Sequence, residues 1–395
     1  MSPRGLRIGL VYDALYPYVT GGAEKRYHEI ARRLAERHEV HYLTWRFWDG
    51  PDEIVEDGIT LHGVGPAPSL YGADGKRTVR EAAAFSARLL PVLLRQRWDV
   101  IDCSATPYLP LYAAWIGSRM TRTPLVATWH EFWGEHWQAY LPHRPMVASV
   151  ARALESGSRR LGDLAVPVSE FTALRMGLPI GDGERSRIVG NGVELAAIRG
   201  ARRDRKPVDV VFVGRLIDEK RVDLLLDAIH LMTDSFPDLR CTVIGDGPER
   251  AALEARAERL GLAARVTFAG RVEGSRVYAV MKAAHLLVMP SQREGFGISV
   301  AEAQACGTVP VVVRSPMSAA SALVHDGVDG LLCDPTAAAI SSAIASLLSD
   351  QPRLAEMSRA ARRTARHYDW DLIADRMEQV YLQAARRPLA LAAAT

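Results

Sequence analysis

Only four cysteines occur in 395 residues, Cys103, Cys241, Cys306 and Cys333, far apart and never as a CxxC pair. That spacing argues against a zinc module or a disulfide scaffold and predicts buried thiols in a reducing compartment. No apolar run is long enough to cross a bilayer, and the run in the opening MSPRGLRIGLVYD is too short for a secretory signal. The expectation is a cytoplasmic protein, at most peripheral at the inner membrane face. Excess charge is also missing. The formal net charge is +3 and neither half is markedly basic, which argues against a nucleic-acid partner. His130, His136 and His143 are not spaced as HExxH, so no metal site is expected. There is no GxGxxG turn and no solenoid repeat.

What is present is a regular alternation. With 48% hydrophobic and 24% charged residues, the chain reads as globular, and its length as two domains. Short runs of Val, Ile and Leu alternate with helix-length segments throughout, the pattern of parallel sheets covered by helices. Strands are expected at 6–12, 40–45, 100–103, 125–129 and 164–168, with a helix over about 22–37. The polar stretch 199–207, RGARRDRKP, breaks the pattern and reads as a linker. A second series follows at 208–213, 240–244, 266–268, 286–289 and 309–313. The fold class is therefore α/β, two doubly wound Rossmann-like domains facing each other across a cleft. Residues 1–198 form one domain and 208–369 the other. An amphipathic helix over 370–387 returns to the first domain ahead of an alanine-rich tail. In such sheets ligands sit at the carboxyl ends of the strands.

Two segments of the second domain suit a diphosphate. In VVFVGRLIDEK, Gly214 permits a sharp turn, and Arg215 and Lys220 lie near the start of a helix expected around Lys220. Cations there oppose the helix dipole, and a bound diphosphate would relieve the conflict. A solvated charged turn is the plain alternative. In MPSQREGFGISVAEAQACG, a buried strand leads to Glu294 on a glycine-flanked loop, then to a helix from about Ile298 that carries Glu302. The first amides of that helix point where an anion would sit, and Glu302 can reach a ribose. Salt-bridged surface carboxylates are the alternative.

In the first domain, DALYPYVTGGAEKRY places Gly21 and Gly22 where wound sheets approach phosphates, or else forms a plain helix start capped by Thr20. In LVATWHEFWGEHWQAY, His130 follows a strand and is surrounded by Trp129, Trp133, Trp137 and Tyr140. Aromatic faces are good platforms for sugars; a structural histidine among packing aromatics is the alternative.

Taken in order, these pieces resemble the family-4 retaining glycosyltransferases of GT-B architecture. The matching residues are Gly21-Gly22-Ala23-Glu24, His130, Asn191-Gly192-Val193, Gly214-Arg215-Leu216 with Lys220, Gly245-Asp246-Gly247-Pro248, Gly270-Arg271-Val272, and Glu294-Gly295-Phe296-Gly297 leading to Glu302. The resemblance covers nearly the whole chain and implies that 1–198 is the acceptor-binding domain and 208–369 the nucleotide-sugar-binding domain. It implies that Arg215 and Lys220 hold and stabilise the leaving diphosphate. Gly22 and the backbone of Phe296, Gly297 and Ile298 would donate N–H groups to phosphates and sugar. Glu294 would hold sugar hydroxyls, Glu302 the ribose, Arg271 and Val272 the base edge, and His130 the transferred sugar. It also implies a retaining reaction without metal or organic cofactor, the nucleotide-diphosphate sugar being a substrate. No acid and nucleophile pair is set up for a double displacement. Two departures stand out. His285 replaces a usual aspartate, and Ser315–Ser321 (SPMSAAS) replaces a glycine pair that borders the donor sugar or acceptor in relatives.

Transfer to a small molecule or natural-product core is the leading reading. A lipid-linked or envelope glycan is the second, because the segments Lys76–Arg97 and Arg144–Arg160 carry arginines that could lie on anionic membrane; arginine-decorated solvent faces are the plainer and favoured alternative for both segments. An epimerase or a phosphorylase on a similar scaffold, or a binding protein without activity, are the remaining classes. Lys282, read as a helix-surface residue, offers no setting for pyridoxal phosphate. The sequence leaves sugar, base, acceptor and oligomeric state open.

Overall fold

A computed structural model of the chain describes residues 5–70, 77–179 and 184–386. Two compact units result. One holds the chain up to Asn191 and takes it up again from Asp371, and the other spans Gly192–Trp370.

The sheet of the first unit contains β1 (Arg7–Val11), β2 (Glu39–Arg46), β3 (Glu53–Glu56), β4 (Ile59–Pro66), β5 (Val100–Ser104), β6 (Leu125–Trp129) and β7 (Leu164–Pro167). Their order is β3-β4-β2-β1-β5-β6-β7. All neighbours are parallel except β3 and β4, which are antiparallel. Strands β5 and β6 are buried along their whole length, which is why their sequences are mainly apolar and do not alternate with exposed polar residues. The order in which successive strands are added to the sheet reverses between β1 and β5. Ligand sites in wound sheets collect at that reversal, beyond the carboxyl ends of the strands.

The second unit repeats the plan with β8 (Val208–Val213), β9 (Cys241–Ile244), β10 (Val266–Gly270), β11 (Ala284–Met289), β13 (Val309–Val313) and β15 (Leu331–Cys333), in the order β10-β9-β8-β11-β13-β15. This is the Rossmann order, with the reversal between β8 and β11. A small ribbon, β12 (Arg293–Glu294) with β14 (Met317–Ser318), sits apart from the sheet. The core gathers Val210, Phe212, Leu225, Leu286, Val311 and Ile344, all fully buried.

Several local expectations change. The segment 199–207, read as a linker, lies inside the second unit: Asp204 N donates to Ala279 O, and Lys282 Nζ donates to Ala201 O at 2.7 Å. Lys282 therefore clamps backbone carbonyls instead of standing free on a helix surface. The helix Gly22–Leu34 has Gly21 at its N-cap position, so Thr20 stands one residue ahead of the cap. The last helix spans Trp370–Arg386 and is tied to the first unit by Tyr381 Oη donating to Asp102 at 2.6 Å, by Arg33 with Asp371 and by His38 with Glu378. Residue 387 and the alanine-rich tail lie outside the described residues, as does Lys76.

Candidate active site

The site of the second unit is built at the reversal between β8 and β11. After β8 the chain passes Gly214 and forms a single 3-10 turn, Asp218–Lys220. The α-helix starts only at Val222, after Arg221 in a left-handed conformation, so Lys220 precedes the helix rather than opening it. This loop rests on its neighbours through backbone contacts that only glycine permits. Gly245, at φ +142, lies so close to the β8 loop that a Cβ would stand 1.8 Å from Gly214 O. Gly214 N donates to Ile244 O and Gly245 N to Gly270 O, locking the loops after β8, β9 and β10 in one layer. The Gly-Asp-Gly-Pro and Gly-Arg-Val pieces of the sequence are thus supports for the Arg215 turn.

From the other side of the reversal, β11 leads through Pro290 to β12 and Glu294. Lys220 Nζ donates to Glu294 Oε1 at 2.5 Å, and both side chains are largely buried. Gln292 N donates to Glu219 O at 2.8 Å, and Arg293 faces Glu219 at 3.5 Å, so the two loops are stitched at three points. The Arg215 guanidinium is exposed and has no partner among the described residues. Gly297, left-handed at φ +99, starts the helix Ile298–Cys306 without a side-chain cap; a Cβ there would meet Ala320 at 2.9 Å. Its first amides therefore lack a side-chain acceptor, the condition under which a helix end holds an anion. One turn on, Glu302 is nearly buried and accepts from Tyr278 Oη at 3.2 Å. Phe296 packs edge-on against Tyr368. Arg271 and Val272 follow β10 and precede the helix Gly274–Ala283. His285, in place of the usual aspartate, stands near the start of β11 and pairs with Asp209 at 3.4 Å. The loop with Ser315–Ser321 carries β14 and so lies beside Glu294.

In the first unit, the reversal lies between β1 and β5. His130 directly follows β6, with Tyr12 and Tyr27 rings about it. Burial pushes its pKa down to about 3, with the Arg26 charge adding to the effect. Its Nε2 is enclosed with no hydrogen-bond partner among the described residues, so the neutral ring has a nitrogen left to bond. Gly22 starts the uncapped helix behind Gly21, beside Glu24, whose carboxylate accepts from Tyr12 Oη.

The aromatic segment divides. Trp133, Trp137 and Tyr140 form one cluster, Trp133 stacked on Trp137 at 4.7 Å and edge-on to Tyr140 at 4.5 Å. Trp133 is itself buried, so it backs the other two rings instead of facing an acceptor. Trp129 stands apart from all three. It is fully buried as the last residue of β6 and packs against Tyr108 and Phe132, so it supports the core instead of an acceptor.

Three residues that sequence reasoning missed hold this region. Glu155 accepts from Tyr108 Oη, Trp133 N and Gly134 N at 2.6–2.7 Å, and burial raises its pKa. Arg175 donates to the Phe132 and Trp133 carbonyls. Asp102, buried in β5, accepts from Tyr27, Thr128 and Tyr381. A charge inside the apolar strand Val100–Ser104 was the available signal. Among the described residues, no three His, Cys, Asp or Glu side chains are grouped to hold a metal ion, and no helix is long and apolar enough to cross a membrane.

Comparison with known proteins agrees with this layout. Residues 20–197 match Glycosyltransferase Family 4, and residues 196–364 match Glycosyl transferases group 1. A D-inositol 3-phosphate glycosyltransferase of Xylanimonas cellulosilytica is 30% identical, with 93% of each chain covered. A glycogen synthase of Mycobacterium tuberculosis is 31% identical over 96% of this chain and 95% of its own. Among solved structures, Anabaena HepE in complex with UDP and glucose superposes with a TM-score of 0.74 at 21% identity, covering 96% of this chain and all of that one. Sucrose-phosphate synthase of Thermosynechococcus elongatus gives 0.79 at 19% identity, covering 95% and 98%. The fold is that of GT-B glycosyltransferases.

Proposed function

This chain belongs to glycosyltransferase family 4, and we propose that it transfers a hexose, with retention of anomeric configuration, from a nucleotide-diphosphate sugar to a hydroxyl of a small-molecule or natural-product acceptor. The reading rests above all on the Lys220–Glu294 pair, which joins the two loops at the reversal of a Rossmann-ordered sheet. Lys220 carries three N–H donors, so it can keep Glu294 and still meet a phosphate oxygen. Arg215 adds a second cation to the leaving diphosphate. The open start of the helix Ile298–Cys306 adds amides, and Glu302 takes the ribose. The carboxylate of Glu294 accepts from sugar hydroxyls. Arg271 and Val272 flank the base, while Gly22 and His130 keep the donor roles that the family resemblance gives them. Trp137 and Tyr140 offer ring faces to the acceptor, while Trp133 is buried and packs against both.

The reaction exchanges two bonds at one carbon. The anomeric C–O bond to phosphate breaks, the bond to the acceptor oxygen forms on the same face, and the acceptor proton passes to the departing phosphate. No protein nucleophile, metal or organic cofactor takes part. The protein contributes position and fixed positive charge where negative charge develops. The relation to HepE, seen with UDP and glucose, and to relatives named for inositol phosphate and glycogen supports a sugar-nucleotide donor.

A second reading, a lipid-linked or envelope glycan acceptor reached through weak peripheral membrane contact, is favoured by one observation: apolar side chains stand exposed on the helix Pro145–Ser158. Donor turnover followed with and without candidate acceptors is the test. Release of nucleoside diphosphate that requires acceptor, with product of unchanged anomeric coupling, is expected. Interconversion of the free donor without release would point to an epimerase and refute transfer.

A further inference from the structure

Helix Pro145–Ser158 of the first unit is packed inside out. Its buried positions are Ala148, Glu155 and Ser158, two of them polar, and Glu155 is anchored by Tyr108, Trp133 and Gly134. Met146, Val147 and Val150 instead face solvent, at 82%, 46% and 59% exposure. At 3.6 residues per turn Met146, Val150 and the exposed Ala153 share one stripe, with Val147 beside it. A helix on a soluble protein ordinarily buries its apolar stripe, so this one is shaped for something that covers it.

The charge around the stripe is one-sided. Residues 141–160 contain four arginines and a single acid, Glu155, which is buried. Arg159 is committed to the Met176 carbonyl and Arg152 to Glu135. Arg144 and Arg160, at the two ends of the helix, are exposed and have no acid partner among the described residues. The neighbouring helix His136–Tyr140 packs against this one and carries Trp137 and Tyr140, ring types that favour a boundary between apolar and wet surroundings.

We propose that this face docks on an anionic bilayer surface. Met146, Val147 and Val150 enter the headgroup boundary, and Arg144 and Arg160 meet lipid phosphates. Three small side chains cover far less than the roughly 800 Å² per partner that a stable protein interface buries. Shallow insertion needs no such area, which favours a bilayer over a second copy of the chain. The inference gives the peripheral contact of the second reading a named surface and rests on that part of it alone.

The test is co-sedimentation of the full chain with vesicles of phosphatidylcholine alone and of phosphatidylcholine with phosphatidylglycerol, at low and high salt. Nucleoside-diphosphate binding by calorimetry runs alongside, so that a failed donor site is seen separately from a failed membrane surface. Binding to the phosphatidylglycerol vesicles that falls with salt is expected. The pair Arg144→Ser with Arg160→Ser should weaken it by about fivefold per arginine, and Met146→Ser with Val150→Ser by at least as much, both leaving nucleotide binding unchanged. Absence of vesicle binding by the wild-type chain overturns the proposal. So does binding that both variant pairs retain, or self-association that the serine variants abolish in a chain that ignores vesicles.

Discussion

Lys220 Nζ and Glu294 Oε1 stand 2.5 Å apart, although 74 residues separate them in the chain. One comes from the loop after β8 and the other from the ribbon that follows β11, the two strands that flank the reversal of the sheet. The pair therefore joins the two loops at that reversal and sets where the charges of the proposed donor site lie.

Removing either partner should cost stability and far more turnover. Lys220→Ala leaves a largely buried carboxylate without its cation, and Glu294→Ala the converse; each is expected to lower stability by about 1–3 kcal/mol. The corresponding loss of transfer rate is expected at about 10²–10³-fold, the usual effect of losing one fixed charge or donor at a developing anion. Chemical unfolding and initial-rate measurements on the same preparations check both. Full activity in either variant would remove that residue from the proposed chemistry.

Glu302 is oriented by Tyr278, whose hydroxyl donates to it at 3.2 Å. Tyr278→Phe should weaken nucleoside-diphosphate binding by roughly fivefold, the loss of about 1 kcal/mol of hydrogen bonding, with little change in the rate once donor saturates. Calorimetry and a KM-against-kcat comparison decide this. A variant with an intact donor KM would detach Glu302 from the ribose.

Gly245 bears on the fold before it bears on the site. A side chain there would meet Gly214 O at 1.8 Å and would also require φ +142. Gly245→Ala is expected to cost about 3 kcal/mol or more and to weaken nucleotide binding through the displaced Arg215 turn. Urea unfolding of the variant measures the first effect. An unchanged midpoint would contradict the close backbone approach.

Burial holds the His130 ring neutral, lowering its pKa from 6.5 to about 3. Between those values the unfolded chain takes up a proton that the folded chain refuses. Stability on this account is unaffected above the unfolded value and is lost as pH falls through the window. His130→Asn should flatten that slope by up to about 1.4 kcal/mol per pH unit. Unfolding free energies of wild type and variant across the window provide the comparison; parallel curves would contradict a buried neutral ring.

Much of this arrangement is legible from the residues alone. The strands at 125–129, 208–213 and 309–313 have the bounds expected for them, because strands buried on both faces must be apolar throughout. The pair β3 and β4 escaped notice since Glu53–Glu56 is an edge strand, mostly exposed and half acidic. Aromatic clustering in the sequence pointed to rings around His130, but Trp133, Trp137 and Tyr140 meet one another while His130 lies against Tyr12 and Tyr27. Clustering could not separate Trp129, because whether a strand's final tryptophan points into the core depends on what the next elements cover. Glu155 and Arg175 were invisible for a related reason: their partners, mostly backbone groups, are far away in the chain, and such pairings leave no periodic trace.

The most direct measurement is titration of wild type, Arg215→Ala and Lys220→Ala with uridine, guanosine, thymidine and adenosine diphosphates in a calorimeter. The account predicts saturable binding of at least one nucleotide by the wild type, with affinity reduced about tenfold or more in each variant, as expected for losing a charged hydrogen bond of about 1.5–3 kcal/mol. A wild-type chain that takes up none of the four, or variants that bind as tightly as it does, would contradict it.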